Sequence, residues 1–255
     1  MTTLIDFAGV HFNTGAPDAD DCVWNMRIPK GWAAPVQQVD VVEPTTAPGG
    51  DQAVNRAKPR PLVARWIVRA PSDAAAWAAY ERCQAMPGFG LNKAAILVVH
   101  EPVAKWLQVI QTGIDVDEPR GNRLVFAEVD LSALYPYRRG VEERTETLAP
   151  GQTKTLQNAG REAAPLKVTT TGAGVVKLRQ TASGQLMQTR VSVASGTVLD
   201  SRTSSAVTAG GVEFFPMGSP SEWLSLPAGD IDGPSSTNVT NQGGAPVLLS
   251  WYDTY

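Results

Sequence analysis

Apolar residues in the first third of the chain come in short runs bounded by Gly, Pro, Asn and Asp, the pattern of strands joined by turns. Leu4 to Val10, Cys22 to Ile28 and Val36 to Val42 are such runs. From Val42 to Leu62 the chain turns polar, and Pro44, Pro48, Gly49, Gly50, Pro59 and Pro61 forbid a regular element. Long structureless loops inside compact domains are uncommon, so a protruding hairpin tip is expected there. Leu62 to Val68 reads as the returning strand.

The one convincing helix opens at Pro71-Ser72-Asp73, where Ser72 or Asp73 can accept from free N–H groups of the first turn. Ala74 to Gln84 is rich in strong helix formers, and Met86-Pro87-Gly88 ends it. Ala76, Trp77, Tyr80 and Cys83 form the apolar stripe expected to cover a sheet. Strands follow at Ala95 to Val99, Lys105 to Thr112 and Arg123 to Leu131, the last two joined over Asp117 to Gly121. Residues 1–140 are therefore expected to form an α+β domain with one helix, its strands making a barrel or split barrel.

Through Arg138, Gly140 and the polar run Glu142 to Glu146 the text changes, and the second domain is set at 141–255. Beyond Leu148 short alternating strands recur with regular turn signals and no helical pattern. Among them are Lys154 to Leu156, Leu166 to Thr170, Gln185 to Val193, Ser236 to Thr240 and Val247 to Tyr252. Met187, Thr189, Val191 and Val193 share one face of the third, as a half-buried antiparallel strand requires. An all-β sandwich or jelly roll is expected, and the chain as a whole is mostly β.

Composition narrows the function. With 22 basic against 25 acidic side chains and a net charge of -3, there is no basic face for nucleic acid. A hydrophobic share of 43% supports a core, while 18% charged residues against a typical ~25% leaves a surface of Ser, Thr, Gln, Asn and Gly. No run is long enough to span a membrane, and Met1 to Val10 lacks the basic and apolar regions of a secretion signal. Cys22 and Cys83 have no CxxC spacing and are expected as free, packed thiols of a reducing compartment.

Candidate chemistry is sparse. His11 and His100 belong to no metal-spaced or catalytic motif, and Gly88 to Lys93 and Gly172 to Lys177 lack the full phosphate-loop spacing. The carboxylates of Asp20-Asp21, Asp115 to Glu118 and Asp230 to Asp232 sit in turn contexts, where Asp bonds its own backbone. No catalytic, cofactor or metal site is expected, and the chain is expected not to be an enzyme. Asp51, Arg56, Lys58 and Arg60, on the expected exposed tip, suit a salt-sensitive protein contact. Trp223 and Trp251 could stack on a saccharide, although the segment around Trp223 suits a core role better.

Several segments together resemble siphophage distal tail proteins. They are Thr153 to Gly160 with its Asn158-Ala159-Gly160, Ala164 to Gly172, Val198 to Arg202, Trp223 to Asp230 and the aromatic-rich end Val247 to Tyr255. Ala228 and Asp230 depart from the family pattern, in which glycine and asparagine follow the proline. The strands flanking one helix and the long loop at Glu43 to Pro61 are similar too. The resemblance implies an N-terminal domain that builds a ring, a hexamer in the family, and a C-terminal galectin-like β-sandwich. It implies a tail-tip component, made in the host bacterial cytoplasm and carried in the virion, that joins the tail tube protein to the tail-tip hub protein. The alternative is a carbohydrate-binding module contacting saccharide on the host surface.

Overall fold

The computed structural model describes residues 3–33, 59–86, 94–119, 121–133, 135–218, 222–229 and 233–255. The expected strand at Val36 to Val42 lies outside them. The chain divides into two compact units, Met1–Arg138 and Arg139–Tyr255.

Unit 1 contains β1 (Leu4–Phe7), β2 (Val10–Phe12), β3 (Val23–Met26), β4 (Arg60–Arg69), α1 (Asp73–Gln84), β5 (Ala94–His100), β6 (Ala104–Val116) and β7 (Leu124–Ala133). All pairings are antiparallel, and the spatial order is β3-β4-β7-β6-β5-β1-β2. Asn13 brings the two ends of that order together. Its N–H donates to the Trp24 carbonyl at 2.9 Å, while its side chain donates to the Met26 carbonyl and accepts from the Met26 N–H. The sheet thereby curls into a split barrel.

Alternation decides which residues fill it. On β4, Leu62, Ala64, Trp66 and Val68 point inward, as do Leu97 and Val99 on β5 and Val125, Val129 and Leu131 on β7. Phe12 packs edge-on against Trp24 with centroids 5.9 Å apart and also meets Trp66 at 5.7 Å.

The helix follows its sequence signals. Ser72 Oγ accepts from the Ala75 N–H at 3.2 Å, Asp73 lies in the first turn and Arg82 in the last. The buried stripe, however, is Ala76, Ala79 and Cys83; Trp77 is 47% exposed and lies edge-on to Tyr80. Small side chains let the helix axis approach the sheet, and a Trp on that line would hold it off. Both cysteines are buried and free, and burial pushes the Cys83 thiol up to about 11, opposed by the Trp66 indole N–H that donates to its sulfur at 3.4 Å. The single expected strand at Leu4 to Val10 is instead a hairpin, because Ala8 and Gly9 take φ of 50° and 79° and turn the chain.

Unit 2 is all-β: β8 (Arg139–Leu148), β9 (Thr153–Asn158), β10 (Ala164–Pro165), β11 (Lys167–Thr170), β12 (Lys177–Gln180), β13 (Leu186–Gln188), β14 (Val198–Asp200), β15 (Ser205–Val207), β16 (Glu213–Phe214), β17 (Ser225–Leu226), β18 (Ser235–Asn241) and β19 (Val247–Thr254). One sheet runs β16-β15-β14-β11-β19-β8 and the other β13-β12-β18-β9, with β10 paired to β17. Val168, Leu199 and Leu249 of the first sheet share one core with Leu156, Leu178 and Val239 of the second. That is a sandwich.

Two segments differ from their reading in the sequence. The polar run Glu142 to Glu146 is not a connection between elements; it is the middle of β8, with Glu143 to Glu146 paired to β19. Its side chains are almost all exposed, with only Gly140 and Leu148 buried, so no alternation marks it. Gln185 to Val193 is not one strand either. Ladder pairing ends at Gln188, where Thr189 turns its hydroxyl to the Val176 N–H and the Val191 carbonyl, and Val191 is left 60% exposed.

The end of β19 is tied to the turn after β9. Buried Asn158 donates to the Glu162 and Pro227 carbonyls at 2.7 and 3.0 Å and accepts from the Gly160 and Thr254 N–H groups at 3.0 and 3.3 Å. Gly160 is required by close approach, because a Cβ there would lie 1.9 Å from the Thr254 carbonyl oxygen. Asp253 adds its carboxylate, accepting from the Ala159 N–H at 2.9 Å and from Arg144 at 2.8 Å.

Asn158→Ala strips four backbone groups of their partner, two in fully buried bonds and two in part-buried ones, and is expected to cost about 3–5 kcal/mol, read by urea unfolding of wild type and variant. Gly160→Ala is expected to be at least as damaging. A midpoint unchanged in either variant would show that the turn does not hold β19.

Candidate functional site

The residues named from the sequence fall in three places. Asp51, Arg56 and Lys58 lie outside the described residues. Arg60 does not sit on an exposed tip: it opens β4 on the inward side shared by Leu62, Ala64 and Trp66, and is 3% exposed. Extending the alternation of Leu62, Ala64 and Trp66 back by two residues would have placed it there. Trp223 is half-buried and packed against the core of unit 2, and Trp251 is buried with its indole N–H donating to the Gln157 carbonyl at 2.9 Å. Trp251 therefore offers no open ring face of the kind a sugar stacks on.

Arg60 closes the root of the segment before it. Its guanidinium donates to the Gly31 carbonyl at 2.6 Å, to the Pro136 carbonyl at 2.9 Å and to the Trp32 carbonyl. Burial pulls its pKa down to about 10, helped by the nearby positive charge of Arg138, so it stays a cation at neutral pH. Lys30 and Val63 exchange backbone bonds at 2.9 and 3.1 Å close by. Gly31 must be glycine: its φ is +90° and a Cβ would meet the Pro61 carbonyl at 2.5 Å. Beside this root, Glu101 accepts from the Trp32 indole at 2.9 Å and from Lys105 at 2.9 Å, with Arg138 at 3.5 Å. Burial alone would raise the Glu101 carboxyl, but those donors hold it below its ordinary value.

A second cluster went unseen in the sequence. His11 and His100 both face Asp6 on the outside of unit 1, with His11 Nδ1 2.5 Å from Asp6 Oδ1 and His100 Nε2 2.6 Å from Oδ2. Residues far apart in sequence meet because β1 lies between β2 and β5, pairing Asp6 with His11 and Leu4 with His100. Burial opposes ionisation of Asp6, but the two imidazoles outweigh it and hold the carboxyl below 3.8. Among the described residues no group of three or more His, Cys, Asp or Glu is placed to hold a metal ion, and no helix is long and apolar enough to cross a membrane.

The third feature is an open groove of about 500 Å³ on the outer face of β3, β4, β7 and the end of β6. Ile67 and Phe126, direct cross-strand neighbours 41% and 40% exposed, form its floor. Arg65 and Glu128, the next pair along, are joined at 2.5 Å. Arg27 flanks Arg65 and Asp115 flanks Glu128.

No protein-family model and no curated protein sequence matches the chain. Among solved structures it is similar to SPP1 Dit (gp 19.1), described as a paradigm of the hub adsorption apparatus in phages infecting Gram-positive bacteria, at a TM-score of 0.67 and 11% identity over 100% of both chains. The chain has the fold of SPP1 Dit from end to end. Chains of the activated phage P2 baseplate with Ca and with Sr give TM-scores of 0.49 and 0.47 at 6% identity, over 94% of this chain and 98% of theirs. Within this Dit fold, the segments that carry the family resemblance are drawn together. Asn158 and Gly160 of the first touch Pro227 and Gly229 of the Trp223 segment and Thr254 of the terminal strand.

Because Asp6 titrates lower folded than unfolded, it contributes stability at neutral pH that is lost as pH falls through its folded value. Asp6→Asn should therefore unfold more easily than wild type near pH 6 and no differently once the pH is well below 3.8. The gap should shrink with added salt, since the carboxylate is partly exposed. Equal stability at pH 6 would mean the cluster is only a surface contact.

Proposed function

We propose that the chain is a structural component of a bacteriophage tail tip, forming a ring that joins the tail tube to the tail-tip hub. The observation that carries this reading is the correspondence of the whole chain with the whole of SPP1 Dit, described as a paradigm of the phage hub adsorption apparatus, at a TM-score of 0.67. The physical character of the chain supports it. Two compact β units with a surface low in charge provide extended faces for partners, and a contact of modest area gains strength when symmetry repeats it around a ring. The partners in this reading are further copies of the chain, six in a closed ring, the tail tube protein and the tail-tip hub protein. Its place is the virion, after synthesis in the host bacterial cytoplasm, and its role is mechanical rather than enzymatic. The saccharide-binding alternative is not favoured, since its two tryptophans are committed to the core of unit 2.

Asp51, Arg56 and Lys58 are the contact residues of this proposal. Arg60 supports it differently from the way its sequence position suggests, as the clamp that fixes where the 34–58 segment leaves and re-enters the sheet.

Light scattering on the purified chain is expected to give a closed multiple of 27.2 kDa, with a central hole in negative-stain images. Deleting residues 45–56 should leave the far-ultraviolet spectrum intact and abolish the ring, because the root at Lys30, Val63 and Arg60 remains. Rings that form normally without the segment would remove it from the interface. Binding to glycans, with no ring in the presence of tube and hub proteins, would overturn the reading.

A further inference from the structure

Two stretches of unit 1 that lie far apart in sequence meet at the root of the 34–58 segment. One is Gly31-Trp32, where the chain leaves the sheet before that segment; the other is Pro136 to Arg138, the last residues of unit 1 before β8 opens unit 2. Neither stretch belongs to a strand, so no sheet pairing fixes one against the other. Two ions touch both. Arg60, the first residue of β4, donates to the Gly31 carbonyl at 2.6 Å and to the Trp32 carbonyl on one side, and to the Pro136 carbonyl at 2.9 Å on the other. Glu101, the residue after β5, accepts from the Trp32 indole N–H at 2.9 Å with one oxygen and faces Arg138 at 3.5 Å with the other. The Arg138 guanidinium also lies 5.7 Å from the centre of the Trp32 ring.

The guanidinium of Arg60 is a rigid planar fork, so its N–H directions cannot be met one at a time. Moving the Gly31 and Trp32 carbonyls turns the fork and carries its bond to Pro136 with it. Water does not step in for a lost carbonyl, because Arg60 is 3% exposed and Trp32 2%. Glu101 acts by charge. Burial, and after it the Arg138 charge, lowers the proton affinity of Arg60, so the two guanidinium groups repel each other, and the Glu101 carboxylate offsets that repulsion. Arg138 is lightly held: its Nε is buried without a hydrogen-bond partner, and 3.5 Å to Glu101 is a long contact. A displacement of Trp32 therefore reaches Arg138 by two routes, the ring face and the shared carboxylate.

We propose that Arg60 and Glu101 couple the root of the 34–58 segment to the linker that leads into unit 2, so that displacing Gly31 and Trp32 displaces Pro136 to Arg138. The coupling is reciprocal, since two sites biasing one set of bonds must affect each other equally. It goes beyond the ring reading and does not rest on it, because it is a property of one chain. Its consequence is a route by which strain at the root of the segment reaches the residues that precede β8.

The test is hydrogen exchange by mass spectrometry on the purified full chain, read in peptides covering 135–138, in those carrying the Lys30 and Val63 amides, and in β9 and β18 as a reference. Gly31→Ala forces the root to shift, because a Cβ there meets the Pro61 carbonyl oxygen at 2.5 Å, and Trp32→Phe removes only the indole N–H that serves Glu101. Each should speed exchange at 135–138 roughly threefold or more while β9 and β18 keep the wild-type rate. In an Arg60→Met, Glu101→Gln background, exchange at 135–138 should already be fast, and neither change should raise it further. Should that background not fold, Glu101→Gln alone carries the test, since it must cancel the effect of Trp32→Phe. In the reverse direction, Arg138→Gln should speed exchange at Lys30 and Val63. An unchanged 135–138 rate in both root variants would overturn the proposal. So would the same rise with the two ions absent, or a rise shared equally by β9 and β18, which would be general loss of stability. Particle mass plays no part in this readout, so the ring reading stands or falls separately.

Discussion

A buried backbone carbonyl or N–H that has no strand opposite it must find a partner elsewhere, and a protein built almost wholly of short strands meets that constraint at every turn. Here it is met by a few buried polar side chains, each serving several groups. Arg60 serves three carbonyls at the root of the 34–58 segment, Asn13 joins the ends of the split barrel, and Asn158 serves four groups at the end of β19. Asn241 does the same at the far end of the sandwich, donating to the Leu148 and Ala245 carbonyls and accepting from the Gly243 N–H. With one helix among the described residues, sheet edges and turn ends depend on these side chains for their geometry, and the apolar cores can close only where those ends are fixed.

In the function proposed above, such an economy suits the presentation of shaped surfaces. The cores are tight and the charges are few, so the outer faces are free to carry specific arrangements that no internal contact requires. The groove on unit 1 is one of these, with its apolar floor and its ordered charges. The root of the 34–58 segment is another fixed feature, built around a cation too buried to move easily. The perturbed carboxylates of unit 1, Asp6, Asp18, Glu101 and Glu128, are each held by neighbours that satisfy them structurally.

Much of the architecture was legible along the chain because strand and helix periods leave their mark wherever one face is buried. The helix was readable from Ser72 through Gln84, since capping and propensity act locally, and so were β4, β6, β7 and the hairpin turn between the last two. Three of the segments on which the resemblance to distal tail proteins rested, those of Asn158, Pro227 and Thr254, are held together by the Asn158 side chain. What escaped was whatever depends on a neighbour. β8 is a strand because β19 is beside it, and its exposed polar side chains carry no period of their own.

The sequence by itself determined the elements with one dry face, the β-rich class, and the absence of an electrostatic case for nucleic acid, because those follow from local propensity, alternation and composition. Tertiary structure alone decided which carbonyls the inward-facing Arg60 clamps, that Trp77 faces outward while alanines line the helix contact, and that His11 and His100 share Asp6. It also decided the row of Arg27, Arg65, Glu128 and Asp115 in the groove of unit 1, drawn from β4, β7, β6 and the residue after β3. The physical reason is the same in each case: burial and charge pairing are properties of the lateral order of strands, and lateral order is fixed by contacts between residues that the chain keeps far apart.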